Sequence, residues 1–137
     1  MAKLLFCFVT ENVVIDSTTN LLSAINIVEK VQTPSFPASK PIVYLVAYWK
    51  KETDSNQAEG VRFRVILKQP NHRETNPPVM ESEGQIPAGN DFLRLVFRME
   101  GIRFDGEGVT EFIIRQNVRG QWQKAGSFPL LVSRVSA

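Results

Sequence analysis

The chain has only one cysteine and one histidine in 137 residues. A single Cys excludes an intramolecular disulfide and any Cys-based zinc site, and a single His excludes a two-His metal-ligand pair. Charge of one sign is also scarce. Sixteen basic and fourteen acidic residues leave a net charge of +2, far from the strong basic excess of a nucleic-acid binder. No apolar run approaches the roughly 18 residues of a membrane span. The opening run Leu4–Val9 is short and is followed by Glu11-Asn12. A signal peptide needs an apolar core of about 7–15 residues and a small-residue cleavage site, so this run reads as a first strand. Lack of an export signal and a reduced Cys7 lead to the expectation of a cytoplasmic protein with no membrane partner.

What remains is close to a globular average, with 43% hydrophobic and 22% charged residues. That argues against disorder, and the length fits one domain over residues 1–137.

Period-two patterning runs through nearly the whole chain. Val61, Phe63, Val65 and Leu67 alternate with Arg62, Arg64 and Lys68, Ile66 being the exception. Leu93, Leu95, Phe97 and Met99 alternate with Arg94, Arg98 and Glu100. Phe112 and Ile114 alternate with Glu111 and Arg115, and a last run covers Phe128–Val135. Such alternation turns one face to a core and the other to water. Leu21–Val31 is rich in β-branched residues and ends in a proline run, which favours a strand over a helix there. Pro34, Pro37 and Pro41 mark a stiff connection, and Lys51–Gly60 reads as a polar loop. Gln69–Asn90 is the longest irregular stretch, with a short edge strand at Val79–Glu83. Arg119-Gly120 reads as a hairpin turn. The expected fold is all-β: some seven or eight short strands at regular spacing suggest an antiparallel sandwich or barrel.

Six segments, in order, resemble an uncharacterised family of small bacterial all-β proteins, a domain-of-unknown-function family. They are Cys7, Leu22-Ser-Ala-Ile-Asn-Ile27, Pro34-Ser-Phe-Pro37, Leu67-Lys-Gln-Pro-Asn71, Gly108-Val-Thr-Glu-Phe112 and Phe128-Pro-Leu-Leu-Val132. The resemblance covers nearly the whole chain and rests on order and spacing. It implies an antiparallel immunoglobulin-like β-sandwich of intracellular origin, about seven to nine strands in a single domain, and no catalytic residues. One departure is Thr110, which holds the place where a Tyr would form a tyrosine corner.

Candidate chemistry is sparse. Cys7 as a nucleophile would need His72 as its base. Cys7 lies in an apolar run, where a thiol stays protonated and inert, while His72 lies in a polar loop. Glu81 and Glu83 share a strand face. Asp105 and Glu107, with Asp54 and Glu52, would bind Ca²⁺ only if two distant loops converged, and nothing in the spacing requires that. Gly101, Gly106 and Gly108 lack the Lys-Ser/Thr of a phosphate loop and read as turn glycines. No Ser sits in a G-x-S-x-G context. The chain is therefore expected to be no enzyme and to use no cofactor or metal.

Two features point to binding. The first is Ile42–Trp49, apolar on both faces. If Val43, Leu45, Ala47 and Trp49 face the core, Ile42, Tyr44, Val46 and Tyr48 must face something else: either long loops of the same chain or another chain. The second is electrostatic. Residues 1–60 carry five basic and six acidic side chains (net −1), residues 61–137 eleven and eight (net +3), and every arginine is in the second part. Arg62 and Arg64 share one strand face, and Arg94 and Arg98 another. One sheet holding both strands would align four guanidinium groups suited to phosphate or carboxylate. The expected role is a non-catalytic protein-interaction module of unknown cellular role, with a protein partner or a homo-oligomer, using Ile42, Tyr44, Val46 and Tyr48. The alternative is a sandwich that binds an anionic ligand or nucleic acid through Arg62, Arg64, Arg94 and Arg98.

Overall fold

A computed structural model describes residues 2–52 and 56–136 of the chain. Among the described residues there are nine strands and no helix: β1 (Lys3–Ile15), β2 (Leu22–Ile27), β3 (Lys30–Thr33), β4 (Ala38–Lys50), β5 (Glu59–Lys68), β6 (Met80–Ile86), β7 (Phe92–Phe104), β8 (Gly108–Val118) and β9 (Gln121–Arg134). They make two sheets, ordered β2-β1-β4-β7 and β3-β9-β8-β5-β6. The protein is a two-sheet β-sandwich, and of the sandwich and the barrel that the period-two patterning allows it is the first.

The alternation of β5 and β8 is seen directly in burial. Val61, Phe63, Val65 and Leu67 on β5, and Phe112 and Ile114 on β8, are all at most 2% exposed. Val9, Val43, Leu45, Ala47, Trp49 and Met99 meet them from the first sheet. The rings of Trp49 and Phe63 lie 5.6 Å apart, and those of Phe63 and Phe97 5.3 Å in an edge-on pair. Burying each large apolar side chain contributes about 1.5–3 kcal/mol, so this inter-sheet layer supplies most of the driving force. The turn at Arg119-Gly120 has φ of 52° and 84°, as a two-residue hairpin with type I′ geometry needs. The Asn117 carboxamide oxygen accepts the Gly120 N–H at 3.0 Å.

Three features refine the sequence-based expectation. Leu21–Val31 is two strands in different sheets: β2 pairs with β1, while β3 runs parallel to β9. The crossing is fastened by Val28 N–H to Val9 C=O (2.8 Å) and Leu131 N–H to Glu29 C=O (3.0 Å). The second sheet is therefore mixed. Next, a bulge between Leu4 and Phe6 resets the facing of β1. Leu4 and Cys7 turn inward with Val9, and Leu5 is left 44% exposed, whereas unbroken alternation would have placed Leu5 inside and Leu4 outside. Finally, the prolines inside strands lie where their neighbour strand stops. Pro41 lies beyond the last β1–β4 pair, Thr10↔Tyr44, and Pro129 lies before β3 joins β9 at Leu131. No ladder N–H is demanded on those sides.

Candidate functional site

Outward-facing residues of the first sheet follow the register. Phe6 lies opposite Tyr48 and then Arg94, Phe8 opposite Val46 and then Val96, and Thr10 opposite Tyr44 and then Arg98. Beyond Thr10, β1 leaves β4 and continues only with β2 as a hairpin. That hairpin bends back over the sheet. Its turn reaches β7, where the Arg94 guanidinium donates to the Asn20 carbonyl (2.9 Å) and side-chain oxygen (3.1 Å). The Thr10 hydroxyl, wholly buried, donates to Ile25 C=O at 2.7 Å and anchors the bend. The turn is closed by the Asp16 carboxylate, which accepts the Thr18 and Thr19 N–H groups at 2.8 and 2.9 Å. These amides hold the Asp16 carboxyl below its ordinary range, Thr19 first.

Of the four residues expected at an interface, the structure removes Val46. It is 0% exposed yet stands apart from the inter-sheet core, so its cover comes from outside the sheet, from the folded-back hairpin. Tyr44 and Tyr48 are half-buried, and Tyr48 is stacked on Phe6 with centroids 4.5 Å apart. Ile42 is 37% exposed. The doubly apolar β4 is explained largely by cover from its own chain. The exposed apolar surface has moved onto the hairpin: Val14 50%, Ile15 46%, Leu21 69%, Ile25 43% and Ile27 47%. On the hairpin's other side, which Ile15 shares by register, Val13, Leu22 and Ala24 are half-buried. The alternation of Val13-Val14 and Leu22 to Ile25 was present in the sequence. The bend that decides which side is covered was not.

The four-arginine ridge does not exist. Arg62 and Arg64 stand on β5 of the second sheet, and Arg94 and Arg98 on β7 of the first. Two guanidinium pairs on opposite sides of a sandwich cannot share a ligand. Arg94 holds the hairpin, and Arg98 pairs with Glu100 at 3.2 Å. The second sheet instead carries a row that strand order alone reveals: Arg64 on β5 lies opposite Arg115 on β8, which lies opposite Lys124 on β9. Glu74 neutralises Arg115 (2.9 Å) and Glu111 neutralises Lys124 (3.0 Å). The Lys124 hydrogen bond is the main reason the Glu111 carboxyl is held below its ordinary range. Arg62 pairs with Glu81 at 3.1 Å. Arg64 has no carboxylate partner among the described residues. Its guanidinium lies 3.8 Å from the centre of the Trp122 ring, and its buried Nε has no hydrogen-bond partner.

Cys7 and His72 are not brought together as a catalytic pair. Burial pushes the Cys7 thiol up to about 11, which leaves it protonated and unreactive near neutrality. His72 sits exposed, at φ 65°, in the turn after β5. Of the loop acids, Asp105 pairs with Arg103 (3.0 Å) and Glu107 accepts the Arg134 N–H (2.7 Å), while Asp54 lies outside the described residues. An open cleft of about 980 Å³ lies between the β5–β6 connection and the end of β7, floored by Leu67, Val79 and Ile102. Buried Gln69 braces it, donating to Arg103 C=O (2.8 Å) and accepting the Asp105 N–H (3.2 Å).

Residues 5–132 match a family of unknown function, DUF6941. The chain belongs to that family. The DUF6941 span runs from β1 to β9, so the folded-back hairpin, the cationic row and the cleft all fall within it. No curated protein matches the chain. Among solved structures, the chain is similar to the PmoD soluble domain from Methylocystis sp., at 9% identity and a TM-score of 0.36, with 97% of this chain and 98% of that one covered. At that level the likeness carries no argument for this DUF6941 protein, and its sites rest on their own geometry.

Proposed function

We propose that the protein is a non-catalytic protein-interaction module that binds through the exposed side of its β1–β2 hairpin, in a bacterial cytoplasm. The observation that carries this reading is the concentration on that side of four large aliphatic side chains, Val14, Leu21, Ile25 and Ile27, each 43–69% exposed. Contiguous apolar surface of this kind marks interaction sites on soluble proteins. The half-buried Tyr44 and Tyr48, with Ile42, form the flank of the surface. The cytoplasmic assignment draws on the lone, unpaired Cys7 and the family resemblance. The test is affinity capture from native lysate with wild type and a Leu21→Ser/Ile25→Ser variant. Partners recovered by the wild type and lost with the variant are the expected result. Identical recovery by both, with both folded, rejects the surface.

A second reading is favoured by one observation, the unneutralised Arg64 beside Trp122. In this reading the second sheet binds an anionic ligand or nucleic acid. A single-stranded oligonucleotide should then quench Trp122, because Trp49 is fully buried. The affinity should fall steeply between about 50 and 200 mM salt and vanish in Arg64→Ala. Salt-independent quenching would exclude it.

A further inference from the structure

Resting on the interaction reading above, we infer that the partner at the hairpin is a second copy of this chain, joined edge to edge through β2 about a twofold axis at Ser23.

β2 lies at the end of its sheet, with β1 on one side and, among the described residues, no strand on the other. The direction of its backbone groups follows from the turn. Leu21 C=O accepts the Asp16 N–H at 2.9 Å, and Ile25 C=O accepts the Thr10 hydroxyl at 2.7 Å. Both carbonyls therefore point toward β1. Backbone groups alternate sides along a strand, so the N–H and C=O of Leu22 and Ala24 point outward along the open edge. Natural edges are blunted by Lys, Pro or inward charges. This edge carries none of these: residues 21–28 contain neither a charged side chain nor a proline. A strand of zero charge meets its own copy without like-charge repulsion, whatever the register.

One register satisfies every group. With Ser23 on the twofold axis, Leu22 lies opposite Ala24 of the second copy, and the two exchange both backbone hydrogen bonds. Symmetry repeats the pair, giving four bonds. Ser23 then meets the second copy's Ser23, a small side chain where the strands come closest. Leu21 meets the second copy's Ile25 on the exposed side, so the residue that is 69% exposed is covered by one that is 43% exposed. Asn26, at φ 57°, ends the regular stretch and confines pairing to this short segment. The contact is isologous and closed, so it stops at two copies.

Sedimentation velocity on the full chain tests this with wild type, Ser23→Lys, Ser23→Glu and an equimolar mixture of the two variants. Ser23 is exposed and pairs with Val14 only through the backbone ladder, so both variants should fold; matching thermal melts check that. The wild type should dimerise with rising concentration. Each variant should dimerise at least ~10-fold more weakly, because like charges then face each other on the axis. The mixture should regain the dimer, an outcome that a merely structural role for Ser23 would not produce. In parallel, Ser23→Cys should form a disulfide-linked dimer under mild oxidation, while wild type, with only Cys7, should not. A wild type that stays monomeric, or variants that dimerise as it does, overturns the self-pairing. The interaction reading is judged separately by the Leu21→Ser/Ile25→Ser capture.

Discussion

The outer face of the first sheet is apolar and is covered by the chain itself, whereas the outer face of the second sheet is charged and lies open. On the first, Val46 has lost all contact with water beneath a hairpin that Arg94 fastens at its turn. On the second, Arg115 and Lys124 are neutralised one by one by Glu74 and Glu111, and Arg64, with no carboxylate partner among the described residues, lies on the Trp122 ring. The difference shows two ways to finish a sheet that has already buried its inner face. A charged face needs only local ion pairs, which contribute little to stability and leave the surface free. An apolar face needs a covering element, and that element in turn presents a new outer surface. Here the new surface is itself apolar, which is why the hairpin is the part of the molecule that looks unfinished without a partner.

The two faces should differ most at Val46. Val46→Asp would place a carboxylate under the hairpin with no partner and should cost about 3 kcal/mol or more. Arg62→Ala on the open face should cost less than about 1 kcal/mol. Urea unfolding midpoints of the two variants compare the faces directly. A smaller effect is expected at the fastening. Arg94→Ala removes two hydrogen bonds to Asn20 and should cost about 1 kcal/mol, with faster amide exchange confined to residues 13–25. If that exchange spreads evenly over the first sheet, the hairpin is no separate cover. Smaller still, Lys124→Ala should shift stability by no more than about 0.5 kcal/mol and by less at high salt, because the Lys124 side chain is more than half exposed. The smallest effect is local and pH-dependent. The Asp16 carboxyl is held low by the Thr19 and Thr18 amides, so its support of the turn is present above its ordinary value of 3.8 and is lost as pH falls through the lowered one. Amide exchange at Thr18 and Thr19 should quicken only in that acid range, and Asp16→Ala should remove the pH dependence.

Much of the fold was legible in the sequence. Seven apolar runs named by their periodicity became strands, the Arg119-Gly120 turn formed as expected, and the Val79–Glu83 edge strand appeared as β6. The reason is local: side-chain alternation reports which face is wet without reference to distant residues. What was not legible depends on long-range register. The bulge at Leu4/Phe6 reversed the facing of one residue pair. The sheet change at Val28-Glu29 split one apolar run into two strands. The separation of β5 from β7 dissolved the arginine ridge, and the same strand order created the Arg64–Arg115–Lys124 row. The immunoglobulin-like subtype rests on the family resemblance, whereas the two-sheet sandwich is visible in the strands themselves. The second apolar face of β4 was legible in the sequence, with loops of the same chain or another chain as its cover; that the chain's own hairpin lies there was not, because only the bend after Thr10 brings Asn20 to Arg94.

Hydroxyl-radical footprinting of wild type against Ser23→Lys, at a concentration where the wild type associates, tests most directly which surface binds. Labelling of Leu21 and Ile25 should rise in the variant as the β2 edge is uncovered, while Tyr44 and Tyr48 should be labelled equally in both. Labelling that changes at Tyr44 and Tyr48 and stays constant at Leu21 and Ile25 would contradict pairing through β2 and return the interface to the face of β4.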